Sequence, residues 1–325
     1  REATDPERAV ARARALLEAA RAEGDARLAG QAAGALGPWS DPTTDPLPVV
    51  VLQATVAQHL HDFAGAERLL LAALARDTHD AQAWLTLATV RRVGGRLDAS
   101  DSACHALATA GAPAAAEICL ADNLAWRGDT RAALTQLGRV LPRLRTSAER
   151  AWVLESIALA RQLAGQPAEA EAAYRAALAA GAGLHARVAL ADLLLDGGHA
   201  AAAAALLDGQ PASDAVLLRQ AIAARRLGEV GAPAQIDALA RRFDASAERG
   251  DGTGHLRERA LFALALRDDP PAALALARRN LAQQREPADL LLASRAARAA
   301  GDRDAERALT RLMNEMGVRD ARIDG

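Results

Sequence analysis

The chain has 325 residues with 39 basic and 41 acidic side chains, a formal net charge of −2. Because the two signs are mixed along the sequence, no polybasic surface is available to attract phosphate, and we expect no nucleic-acid partner. Hydrophobic residues make up 51% of the chain but aromatic residues only 2%. Since alanine supplies most of the apolar count, we expect an all-α protein with thin cores between closely packed helices.

Helical hairpins are predicted along almost the whole chain. The first covers residues 3–36 and precedes a Pro-rich connection, "GPWSDPTTDPLP", at 37–48. Short polar or Gly-containing turns then recur roughly 34 residues apart: "HLHDF" (59–63), "RVGGRL" (92–97), "WRGDT" (126–130), "LAGQP" (163–167) and "LDGGHA" (195–200). The corresponding predicted units are 47–80, 81–113, 114–147, 151–183 and 184–210, followed by the less regular units 213–248, 255–285 and 287–317.

The units resemble one another in sequence. "FAGAERLLLAALARD" at 63–77 and "PAEAEAAYRAALAAG" at 167–181 share a small residue, a larger one four positions later (Leu70 and Tyr174), and a following Ala-Leu pair. A single hairpin of this size buries too little apolar surface to be stable alone, whereas stacked hairpins share a continuous core. The repetition therefore predicts an array.

A tandem helix–turn–helix of about 34 residues resembles the tetratricopeptide repeat family. In residues 81–113 the family pattern corresponds to a large residue at Trp84, a Leu-small pair at Leu87 and Ala88, and a turn glycine at Gly95. The resemblance implies an all-α, right-handed α-solenoid that forms a single domain over residues 1–325. About nine helix pairs are expected, with the best-matched repeats at 47–210 and weaker repeats at 3–36 and 213–317.

Catalytic and metal-binding motifs are not found in the sequence. Asp122, Glu155 and Asp192 are dispersed, and no nucleophile elbow or metalloprotease motif accompanies them. His59 and His61 are the closest histidine pair, but side chains two positions apart on a helix point in different directions. We therefore expect no enzyme, no metal and no cofactor.

The resemblance also implies where a partner would bind, because the first helices of such repeats line the concave face and hold an extended or helical peptide. We expect a non-catalytic scaffold for a protein or peptide partner. The candidate residues are Gln58, His59, Thr89, Arg92, Asp122, Trp126, Trp152, Glu155, Gln162, His185, Asp192, Arg219 and Arg225. Trp126 and Trp152 fit two roles equally well, partner anchors or core residues.

Alternatives to peptide binding remain at this stage. The family's carboxylate clamp, built from Lys and Asn, is not reproduced, so binding of chaperone tails is unsupported. A small-ligand protein for a metabolite, glycan or lipid, or a cell-envelope assembly protein, is the second interpretation. A deep pocket centred on Trp126 and Trp152 would favour it, whereas a broad groove would favour the scaffold.

The sequence does not decide the cellular compartment or whether the protein self-associates. Cys104 and Cys119 fall on packed neighbouring helices, so they form either a disulfide or two buried thiols. That disulfide, the absence of Lys and the first residue Arg1 favour an exported bacterial protein of the periplasm or cell envelope over a cytoplasmic one. No apolar run reaches the roughly 20 residues of a membrane span, so we expect no transmembrane segment. Exposed solenoid ends would permit self-association.

Overall fold

The computed structural model describes residues 5–248 and 255–324, and all regular secondary structure in them is helical. The helices are α1 Pro6–Glu23, α2 Ala26–Ala35, α3 Leu47–His59, α4 Phe63–Arg76, α5 Ala81–Val93, α6 Leu97–Thr109, α7 Pro113–Trp126, α8 Thr130–Val140, α9 Ser147–Leu163, α10 Pro167–Ala179, α11 Leu184–Asp196, α12 Ala200–Leu207, α13 Asp214–Leu227, α14 Ala232–Glu248, α15 Leu256–Leu266, α16 Pro270–Leu281, α17 Pro287–Ala300, α18 Arg303–Met316 and α19 Ala321–Asp324. A short 3₁₀ helix, Leu141–Arg143, follows α8.

The helices pack in consecutive pairs. Each odd-numbered helix from α1 to α17 packs on the following even-numbered helix. The second helices α2 to α12, and also α16, pack on the next pair as well. We call the first helix of a pair the A helix and the second the B helix. The A helices of successive pairs contact one another along most of the array, from α1–α3 to α15–α17. The A helices therefore form the inner, concave layer of a curved solenoid.

Local sequence signals set the ends of these helices. Asp80, for example, accepts a hydrogen bond from the Ala83 amide and caps α5, which satisfies one of the unpaired amides at the helix start. At the other end of α5, Gly95 has a φ of +78°, a conformation that side chains with a Cβ rarely adopt. Gly94, in contrast, is in the right-handed region, so only the second glycine of the pair is required by the backbone.

Alanine allows the helices to approach closely. In the third pair, Leu87 and Ala88 are completely buried, as are Ala66 and Ala103 on the B helices to either side. Small side chains at the contacts leave the larger Leu and Val residues to fill the remaining space. The core is consequently a continuous layer between A and B helices, as the repeated pattern predicts.

The solenoid curls far enough for distant parts of the chain to meet. The turn between α1 and α2 packs on the starts of α11 and α13, where a Cβ at Gly24 would lie 2.7 Å from the Ser213 Cβ and 3.0 Å from the Leu184 Cδ2. Further along, Arg295 of α17 forms two 2.8 Å hydrogen bonds with the carboxylate of Asp196 at the end of α11. None of the helices within the described ranges is both long and apolar enough to cross a bilayer.

Candidate partner-binding surface

Ion pairs link the inner faces of successive A helices, beginning with α5 and α7. Arg92 lies 3.4 Å from a carboxylate oxygen of Asp122, and both side chains are largely buried. The Arg92 guanidinium also lies over the ring of Trp126, 5.8 Å from its centroid. Asp122 is hydrogen-bonded to Ser156 of α9, and its burial raises the pKa of the carboxyl group, although Arg92 opposes this. Trp126 is only 4% exposed and contributes to the core cluster.

The next contact joins α9 to α11. The Nδ1 atom of His185 lies 3.4 Å from a carboxylate oxygen of Glu155. This hydrogen bond raises the pKa of His185 above its ordinary value of 6.5, so the imidazole keeps its proton to a higher pH than a free histidine does. Because 84% of the His185 side chain is exposed, it is the residue of the inner face most accessible to a partner.

A third contact joins α11, α13 and α15. The Arg219 guanidinium donates from Nε and Nη2 to the two carboxylate oxygens of Asp192, each at 2.8 Å. Its Nη1 lies 3.8 Å from Glu258, and the Arg219 side chain is 4% exposed. This two-pronged geometry fixes the direction of both side chains. Although burial raises the pKa of Glu258, the positive charges of Arg219 and Arg257 outweigh that effect and lower it overall.

A fourth contact joins α15 to the start of α17. Arg257 donates to both oxygens of Asp289, at 2.5 and 2.9 Å, and also pairs with Glu286. Asp289 is fully buried and accepts further hydrogen bonds from Asn280 at 2.7 Å and Gln284 at 3.4 Å. Burial raises the pKa of Asp289. Glu286 is only half-buried; desolvation raises its pKa, but the pairing with Arg257 lowers it overall.

Together these contacts form a partly buried polar network that links the A helices from α5 to α17. We call it the inner ladder; its charged members are Arg92, Asp122, Glu155, His185, Asp192, Arg219, Arg257, Glu258, Glu286 and Asp289. Carboxyl groups outnumber guanidinium groups in this set. The inner ladder therefore favours positive charge on a molecule that approaches it.

Three predicted residues of the A helices are engaged within the fold. Thr89 donates its hydroxyl proton to the carbonyl of Leu85 in its own helix, at 3.0 Å. Gln162 is buried and accepts a 2.8 Å hydrogen bond from the Tyr174 hydroxyl. Trp152 is half-buried and packs against the main core cluster, which leaves part of its ring available on the surface.

The remaining predicted residues lie near the C-terminal ends of α3 and α13, outside the ladder contacts. Gln58 and His59 are half-buried at the end of α3, and burial lowers the pKa of His59. Arg225, at the end of α13, is exposed and donates to the Ala265 carbonyl at 3.0 Å and to Asp268 at 2.5 Å. These three residues are separate from the ion pairs at the centre of the ladder.

Four ladder residues were not predicted: Arg257, Glu258, Glu286 and Asp289. They belong to the units at 255–285 and 287–317 or, for Glu286, to the position between them, and the irregular spacing of these units hides the register of the A helices. A local signal does exist, because "EPAD" at 286–289 has the three-residue spacing of a capping box with Pro at the first helical position. Both capping-box hydrogen bonds are present in the structure.

A disulfide joins Cys104 of α6 to Cys119 of α7, with their Cα atoms 5.8 Å apart. Both residues are buried beneath the inner face. Asn123 lies beside them, donating to Asp101 at 2.7 Å and to Ser100 at 3.0 Å. The bridge thus ties the second helix of one pair to the first helix of the next, directly behind the Arg92–Asp122 contact.

Comparison with known proteins supports the fold. The human IFIT1 dimer with m7Gppp-AAAA has a TM-score of 0.56 at 15% identity, over 96% of this chain and 72% of that one. A Rap protein complexed with Competence and Sporulation Factor has a TM-score of 0.50 at 14% identity, over 89% and 79%. The chain folds as a tetratricopeptide-repeat-like solenoid. A tetratricopeptide repeat protein from Parabacteroides merdae is also similar, at a TM-score of 0.42 and 15% identity, over 77% of this chain and 98% of that one.

The chain matches no protein-family model, and comparison with curated proteins finds no match either. At these levels of identity, the structural similarities of the tetratricopeptide-like solenoid extend to the fold alone. Solenoids of this kind commonly present their curved surface to protein partners.

Two cavities lie away from Trp126 and Trp152. One, about 590 Å³, is lined by residues 128–131, Leu134 and Thr135, together with Arg161 and Gln166. The other, about 600 Å³, lies between α13 and α14 and includes Leu217 and Arg242. Neither is lined by Trp126 or Trp152, so these cavities do not supply the tryptophan-centred pocket that a small-ligand protein would use.

Proposed function

We propose that this solenoid is a non-catalytic scaffold that holds a segment of a protein or peptide partner against the inner ladder. The observation that carries the proposal is the continuity of the ladder, to which each A helix from α5 to α17 contributes polar side chains. Peptide recognition by repeat proteins uses such a surface, with one set of contacts supplied by each repeat. The predicted partner residues Arg92, Asp122, Glu155, His185 and Asp192 all belong to it.

The charge of the ladder supports a particular kind of segment. Its excess of carboxyl groups favours a partner segment that carries Lys or Arg and disfavours polyphosphate chains. We therefore propose a protein ligand and no nucleic acid. Because most of the ladder charges are already paired within the fold, we expect modest affinity that falls as salt concentration rises.

The proposed scaffold acts as a single copy. The outer face of α1 exposes Glu7, Arg8 and Arg12, and that of α18 exposes Arg303 and Arg307. These charged faces do not favour the end-to-end association that alanine-rich ends would permit. For compartment, the disulfide supports an oxidising location such as the periplasm or cell envelope.

Site-specific photocrosslinking in the native host tests the proposal. A photoreactive phenylalanine analogue would replace His185, the most exposed residue of the ladder, and in a control would replace Val230, which is 100% exposed in the connection between α13 and α14. We expect a defined protein adduct from position 185 that is absent from position 230 and weakens in an Arg92→Glu variant. Identical adducts from both positions, or none from position 185, would contradict binding at the inner ladder.

A further inference from the structure

The last eight described residues, 317–324, leave α18 and lie across the rest of the array. The chain reverses at Gly317, which has a φ of +68°, and the next residue, Val318, is completely buried. The backbone amide of Arg319 then donates to the carbonyl of Trp126, at 2.9 Å. This hydrogen bond joins the C-terminal segment to the end of α7, almost two hundred residues earlier in the sequence.

The C-terminal region makes a similar contact with each of three successive repeats. Residues near the C-terminus meet three consecutive turns between A and B helices, each at a glycine with positive φ: Met316 at Gly95, Arg319 at Gly128, and Ala321 at Gly165. A Cβ at these glycines would lie 2.9, 2.8 and 3.4 Å, respectively, from the facing residue. Residues 317–324 thus bridge the fourth and fifth helix pairs, next to the contact of α18 with the third.

Hydrogen bonds also hold the segment in its own conformation. Asp320 is completely buried and accepts from the Arg322 backbone amide at 3.0 Å and from its guanidinium at 2.9 and 2.6 Å. Arg298 of α17 donates to the carbonyl of Ile323 at 2.6 Å. Because α19 has only four residues, it is too short to be stable as an isolated helix. Docking against the array therefore supplies its order.

Two further contacts join the turns between A and B helices to the C-terminal part of the chain. The backbone amide of Arg285 donates to the Val93 carbonyl at 2.8 Å, and His61 and Gln284 are joined by a 2.7 Å hydrogen bond. The turns of successive repeats are thus held against the C-terminal part of the chain. The turn edge of these repeats is therefore covered by the C-terminal part of the chain.

We propose that residues 317–324 are a releasable intramolecular clasp, whose undocking opens the turn edge of the fourth and fifth helix pairs. Release breaks the contacts of a short terminal segment and leaves the helix pairs themselves intact. The clasp acts as a lid over one route to the inner ladder. Its role in partner access rests on the proposed function, but its docking and release are properties of the free protein.

Hydrogen exchange of the full chain tests the clasp without any partner. Val318→Asp places a charge at a completely buried position, and Val230→Asp makes the same change at a fully exposed one. We expect Val318→Asp to accelerate amide exchange at least tenfold in residues 126–130, 163–167 and 317–324, to increase the radius of gyration, and to leave helix content unchanged. Amide exchange rates and a radius of gyration equal to those of Val230→Asp would overturn the proposal.

The unmodified protein provides a second measurement if Val318→Asp fails to fold. In low concentrations of denaturant, the amides of residues 317–324 should exchange through a shared local opening, with protection at least tenfold below that of the buried amides in α11. Protection equal to that of α11 would show that the segment opens only with the whole array, and would overturn the clasp. Either result concerns the free chain and leaves photocrosslinking at His185 as a separate test.

Discussion

Replacement of Asp289 by alanine tests the structural importance of the inner ladder. The Asp289 carboxylate is fully buried and accepts hydrogen bonds from Arg257, Asn280, Gln284 and the backbone amide of Glu286. Removing one partner of a buried ion pair costs about 3–5 kcal/mol, because the other charge is left uncompensated. Arg257 keeps Glu286 as a partner, so we expect a loss near ~3 kcal/mol.

Amide exchange resolves this loss along the chain. A destabilisation of ~3 kcal/mol corresponds to roughly a hundredfold increase in the opening equilibrium, and we expect it over α15–α18. Asp304→Ala is the matched control, since this aspartate on α18 is 88% exposed and its surface ion pair contributes under about 1 kcal/mol. If Asp289→Ala and Asp304→Ala changed exchange equally, the buried network would not stabilise this part of the array.

Three further predictions concern separate parts of the molecule. Glu155→Gln should lower the His185 pKa measured by NMR, and an unchanged pKa would contradict the contact. In the native protein, the stabilisation from this pair is complete below the unfolded-state pKa near 6.5 and is lost as pH rises through the higher folded-state pKa. Trp126→Ala should reduce the unfolding free energy in urea by about 3–5 kcal/mol, and a neutral result would remove Trp126 from the core. Replacing both Cys104 and Cys119 with alanine should cost roughly 3 kcal/mol for a closed loop of this length, and an unfolding midpoint equal to that of the oxidised protein would show that the bridge contributes no stability.

The repeated architecture was accessible from the sequence because its signals are local. Leu87 and Ala88 occupy the buried positions that the pattern predicts, and Tyr174 and Ala177 do the same in a later unit. Gly95 has the positive φ expected of a turn glycine. Each of these assignments depends on spacing within about 34 residues, over which helix geometry determines which side chains face the same way.

The details of the surface depend on longer-range packing. Sequence spacing could not distinguish the two roles of Trp126, because its burial results from the approach of C-terminal residues such as Met316 and Val318. Gln162 was predicted to face a partner, but its position depends on a hydrogen bond from Tyr174. Small rotations between repeats accumulate into the curvature of the array, and no local pattern specifies where its two ends meet. Arg257 could not be predicted for the same reason, because its ion-pair partners lie on another helix pair.

The most direct measurement of the central claim is the exchange footprint of the full-length protein with the partner segment identified by crosslinking at His185. If the inner ladder holds that segment, added protection should concentrate in the A helices α7, α9, α11 and α13 and should decrease as salt is raised. The B helices α8, α10 and α12 should show little change. Protection confined to the B helices, or absent from both sets at saturating partner, would contradict the account.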